Sequence, residues 1–167
     1  MIHALLNRLD QYVKFSHASA HCDIPCKIYD PAPAQISALT VIRMVDMIAE
    51  LGEKGDLSLA DQAQLSRLVA QKEEHALKVK EEVRIIWGDY FKQPQFDQVA
   101  GMHELVHNIM MQGSKCKQSI DRGMAEELLK LVNQFAEAFW QTKGVATYTA
   151  TCPYPPSETV VYPKLNN

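Results

Sequence analysis

Apolar residues recur at helical spacing through most of this chain. Ile36, Leu39, Ile42, Val45, Ile48 and Leu51 fall on one helical face, and Gly52 and Gly55 end the pattern. Ser58, with Asp61 three residues on, reads as a capping box that opens a second helix. Its apolar face carries Leu65, Leu68, Val69, Ala76, Val79, Val83 and Ile86. The chain is expected to turn around Gly88 to Phe96, with Pro94 closing that helix. A third helix carries Val99, Met102, Val106, Ile109 and Met110 and stops near Gly113. A fourth carries Met124, Leu128, Leu131, Val132, Phe135 and Phe139 and stops near Gly144. Four amphipathic segments on short connections predict an all-α, up-and-down four-helix bundle over residues 35–143.

The flanks read differently. In residues 1–20, Ile2, Leu5, Leu6, Leu9 and Val13 repeat at helical spacing with Arg8, Asp10 and Lys14 between them. That stretch lacks the uninterrupted apolar run of an export signal, yet Ala18-Ser19-Ala20 resembles a small-residue cleavage site. It is read as a removable leader, with an attached amphipathic helix as the alternative, and its poor fit to an export signal makes a cytoplasmic location the expectation. Pro25, Pro31 and Pro33 argue against helix in residues 21–34, which form a separate N-terminal hook. Residues 144–167, rich in Thr, Tyr and Pro, are expected to be an extended, poorly packed tail.

Composition narrows the class. The chain has 167 residues, 47% hydrophobic and 22% charged, which suits one soluble domain with a real core. No apolar run approaches the ~20 residues that span a bilayer. A net charge of -3 gives no overall attraction to nucleic acid. Of the four cysteines, Cys22, Cys26, Cys116 and Cys152, only the first two are close together. They are too few for a disulfide scaffold and read as metal-binding or redox-active.

The candidate chemistry lies in His21-Cys22-Asp23-Ile24-Pro25-Cys26. Cleavage before His21 frees an α-amine. That amine, the Cys22 amide nitrogen and the Cys22 thiolate can chelate one ion, and Cys26 can add a second thiolate after the chain reverses through Asp23-Ile24-Pro25. Two nitrogens and two sulfurs in a plane suit nickel(II) or copper(II), and the His21 imidazole remains for an axial position. Anionic sulfur and amide donors also bring a higher oxidation state of nickel within reach. A local Cys22–Cys26 disulfide, or half of a zinc site, fits the same spacing.

Three stretches carry a family resemblance. His21 to Pro31 matches the pattern H-C-D-x-P-C-x-x-Y-D-P of the nickel hook in nickel superoxide dismutases. Trp87 to Phe96 resembles that family's W-x-D-Y-F-K-x-P-x-F segment, and Phe139-Trp140-Gln141-Thr142-Lys143 its F-W-x-T-K close. The resemblance covers about residues 21–143. It implies nickel as cofactor, superoxide as substrate, a four-helix bundle assembled as a homohexamer, and a leader-processing protease as a further partner. Carried over by position, it makes His21, Cys22 and Cys26 the nickel ligands. Asp23 and Pro25 shape the hook, and Tyr29 and Tyr90 line the approach to the metal. Asp89 and Lys92 support the surroundings. Two departures stand out: Ser37 and His75 occupy positions where a member of the family has a Glu and an Arg that orient the axial imidazole.

A rival motif lies further on. His103-Glu104-Leu105-Val106-His107 matches H-E-x-x-H, the helical signature in which two imidazoles bind zinc and the glutamate activates water in a peptidase. No third ligand follows at a characteristic spacing, and Glu126 or Glu127 is the one that could be proposed. A non-enzymatic helical bundle that stores metal is a further alternative.

Overall fold

The structure, a computed structural model, describes residues 26–165. The chain forms α1 (Ala32–Gly52), α2 (Leu59–Ile85), one π-helical turn (Ile86–Tyr90) and a short α3 (Gln93–Phe96). It continues with α4 (Met102–Gln118), α5 (Arg122–Thr142) and strands β1 (Thr147–Thr151) and β2 (Thr159–Pro163). The long helices close a ring: α1 packs on α2, α2 on α4, α4 on α5, and α5 back on α1. This is the expected four-helix bundle, with a hairpin added.

The core is drawn from the apolar faces read from the sequence, except that Ile36 is exposed. Ile42, Val79, Val83, Ile109, Leu128, Val132, Phe135 and Phe139 are all buried in one cluster. Each such side chain contributes about 1.5–3 kcal/mol relative to exposure. Ser58 caps α2 as expected. Its Oγ accepts the Asp61 N–H at 3.2 Å, and the Asp61 carboxylate accepts the Ser58 N–H at 3.1 Å. Hydrogen bonds from Lys54 and Ser58 hold the Asp61 pKa down at about 2.

Four expectations need correction. First, α1 begins at Ala32, inside the stretch read as non-helical, because Pro33 lies in its first turn, where no N–H is required and a fixed φ helps. The Asp30 carboxylate accepts the Ala32 N–H at 2.8 Å in the same turn. Second, Pro94 does not close α2 but opens α3; α2 ends in the π turn, where the Phe91 N–H reaches Ile86 O at 3.2 Å. Third, α4 runs through Gly113 to Gln118. A Cβ at 113 would sit 3.0 Å from Lys80 Cγ, so this glycine serves close approach of α4 to α2 rather than a stop.

Fourth, the tail is well packed. β1 and β2 pair antiparallel, with Tyr148 opposite Tyr162 and Ala150 opposite Val160. Cys152, Val160 and Val161 are buried, and β2 lies against α5. The strands' short alternation was too brief to compete with the helical patterns before them.

Candidate metal centre

Cys26 opens the described chain, half-buried and in irregular backbone that runs to Pro31. Lys27 holds a left-handed φ of 59°, which turns the chain sharply just after the thiol. Ile28 is exposed, and Tyr29 turns inward against the core cluster. The cysteine therefore lies on a turn that is followed by an aromatic ring packed on the core, just before α1.

The surface facing Tyr29 comes from the ends of two helices. The π turn carries Tyr90, whose ring lies 5.8 Å from that of Tyr29, 4.9 Å from Phe139 and 5.2 Å from Phe91. π turns insert a residue and re-aim side chains, and they recur at functional sites. The Tyr90 hydroxyl lies 2.7 Å from Thr142 Oγ1, and Thr142 Oγ1 donates to Phe139 O at 2.7 Å. Thr142 has one hydroxyl hydrogen, so Tyr90 donates in that pair and its oxygen is left to accept. Lys143 places its ammonium 4.4 Å from the Tyr90 ring centroid, a cation–π contact that sets a positive charge at this end of the bundle.

Lys92 Nζ donates to Gly88 O at 2.8 Å and so braces the π turn, and Asp89 is exposed beside it. The two departures both bond within their own helices: Ser37 Oγ donates to Pro33 O at 2.8 Å, and His75 Nδ1 lies 2.8 Å from Gln71 O. Thr142 and Lys143 were given no role from sequence, although both stand in the F-W-x-T-K stretch. Only the fold shows them meeting Tyr90.

Among the described residues, no three His, Cys, Asp or Glu side chains gather to hold an ion. The hook's other residues, His21, Cys22, Asp23 and Pro25, lie outside the described residues. The donor chemistry that Cys26 brings, a soft thiolate on a non-helical turn, fits nickel rather than a hard cation. The H-E-x-x-H stretch does not form a zinc site. The Trp87 indole N–H reaches His103 Nδ1 at 3.1 Å, and the His103 ring lies 4.4 Å from Phe96. With Nδ1 accepting, the neutral ring carries its proton on Nε2 and offers zinc no lone pair. Glu104 and His107 point to solvent at the helix surface.

The sequence model described as nickel-containing superoxide dismutase matches residues 16–143. This chain belongs to that family. It is 34% identical over 125 residues to the nickel superoxide dismutase of Streptomyces coelicolor, covering 75% of this chain and 89% of the relative. The corresponding enzyme of Streptomyces seoulensis matches to the same extent, 34% over 125 residues. A solved native nickel superoxide dismutase superposes with a TM-score of 0.64 at 34% identity, over 74% of this chain and 99% of the other. As a nickel superoxide dismutase, the chain is an oxidoreductase with a nickel cofactor and superoxide as its substrate. Nothing supports the zinc-peptidase or storage readings.

Proposed function

We propose that His21, Cys22 and Cys26 hold the nickel ion, with His21 made N-terminal by removal of residues 1–20. Two superoxide anions and two protons give one dioxygen and one hydrogen peroxide, so one anion loses an electron and the other gains it. Held by these residues, nickel would supply the one-electron chemistry, between Ni(II) and Ni(III). The chain's own groups do the rest. The two thiolates and the Cys22 amide nitrogen donate charge, the His21 amine and imidazole complete the set, and Asp23 and Pro25 shape the loop.

Tyr29 and Tyr90 flank the path to the site. Tyr90, whose proton is committed to Thr142, offers an acceptor to water, while the Lys143 ammonium attracts the anion on a chain of net charge -3. We further propose a cytoplasmic homohexamer whose leader is removed by a dedicated protease. The observation that carries this reading is Cys26, set on a turn braced by the Tyr29–Tyr90 contact, within a complete hook pattern inside the family match.

The test is one extra residue before His21 in the processed chain. It converts the amine ligand to a peptide nitrogen, and dismutation should fall to background. Full turnover from the extended chain would remove the amine from the ligand set.

A further inference from the structure

β1 and β2 lie beyond residue 143, where the family match ends. The native relative is covered over 99% of its length by only 74% of this chain. The hairpin is thus an addition to the shared bundle, and its contacts fall beside the hook.

Gln35 sits in the first turn of α1, four residues after Pro31, and is only 5% exposed. Its Nε2 donates to Val161 O on β2 at 2.8 Å and to Asn133 Oδ1 on α5 at 3.0 Å. Asn133 completes the junction, accepting the Val161 N–H at 3.2 Å and donating to Thr159 O at 2.9 Å. A buried amide in a closed set of this kind fixes the elements it joins, because leaving any member unpaired is costly. A second tie lies further along. Arg122 bonds Asp46 of α1 at 2.8 Å and Glu158 of the hairpin loop at 2.6 Å. Asp30, Leu39, Trp140, Val160 and Tyr162 line one cleft at the same junction, which sets the hairpin beside Asp30, whose carboxylate accepts the Ala32 N–H.

We propose that the C-terminal hairpin is a clamp on the base of the metal hook, with Gln35 and Asn133 as its positioning residues. By holding the first turn of α1 against α5, it fixes where the Cys26–Pro31 segment leaves the bundle and so slows opening of the hook and loss of metal. The metal part of this inference rests on the ligand set proposed above.

The experiment compares the processed, nickel-loaded protein with Gln35→Ala, Asn133→Ala, the double variant, and a chain ending at Gly144. Nickel release into excess chelator is timed, and amide hydrogen exchange is read for residues 27–36 against α2 and α4, with and without nickel. Each single change should speed release about tenfold, the effect of one lost buried hydrogen-bond set. The double change should add little, because the two act through one junction. Exchange should rise at residues 27–36 and stay unchanged in α2 and α4. Unchanged exchange at residues 27–36 in all variants would overturn the clamp. So would a rise spread evenly over the bundle, which marks a general loss of stability. If the parent protein takes up no nickel, the ligand set fails, while exchange in the metal-free chain still decides the clamp.

Discussion

The two ends of α5, about 30 Å apart along a helix of 21 residues, handle charge in opposite ways. Near its start, the Lys72 side chain is 1% exposed, and its ammonium donates to Cys116 O at 2.5 Å, Lys117 O at 2.9 Å and Ser119 O at 2.9 Å. All three ammonium hydrogens are spent on carbonyls, two in the last turn of α4 and one on the Ser119 cap, that have no helical partners there. Burial pushes the Lys72 pKa down, against the pull of Glu73 and the Cys116 thiol. Beside it, Cys116 Sγ donates to Met124 O at 3.3 Å. At the other end, Lys143 is exposed and lies over the rings of Tyr90 and Phe139, and Tyr90 retains an accepting oxygen. A charge that is fully satisfied holds helices together and does nothing else. A charge left near water on an aromatic wall is available to an incoming anion.

Four changes break or sharpen that contrast. The largest effect belongs to the hook end: Cys26→Ser should reduce dismutation to the uncatalysed level, with nickel content falling in parallel. An active, nickel-loaded serine variant would refute the assignment of Cys26. Next, Lys72→Met should cost about 3 kcal/mol in urea unfolding, since three buried or part-buried carbonyls lose a charged donor. Its rate per bound nickel should not change; a matching fall in rate would tie the two ends together. Tyr90→Phe keeps the ring contacts and removes the bond to Thr142. It should cost about 1 kcal/mol of stability, with a rate change below tenfold in pulse-radiolysis kinetics. Complete loss of activity would make that hydroxyl a proton donor and contradict its commitment to Thr142.

The smallest effect is alkaline. Burial raises the Cys116 thiol from 9.0 to about 11, so the folded state favours the neutral form. Its contribution is fully present below the unfolded value and is lost as pH rises through about 11. Thermal melts of the parent and Cys116→Ala should therefore differ in their slope against pH only above about 9.

Most of the bundle was legible because each helix repeats its apolar face over many turns, as Ile42, Val79, Ile109 and Phe135 show. The misreadings fall where one residue type serves two purposes. Pro33 and Pro94 start helices as readily as proline ends them, and Gly113 gives α4 room rather than a stop. Nothing within its own helix marks Lys72 for burial, since only the meeting of α2 with the end of α4 supplies its acceptors. In the site, Cys26, Tyr29 and Tyr90 were visible through short patterns. The partnership of Tyr90 with Thr142 and Lys143 spans about 50 residues of sequence and depends on two helices ending together. The hairpin's grip on Gln35 was hidden for the same reason, with |i−j| of 126 between the partners.

The central claim is that a processed amino terminus and two neighbouring sulfurs hold the redox metal. Intact mass combined with metal analysis on the purified active protein tests it most directly. The account predicts a chain beginning at His21 with one nickel per chain; an active chain that retains residues 1–20, or that contains no nickel, would contradict it.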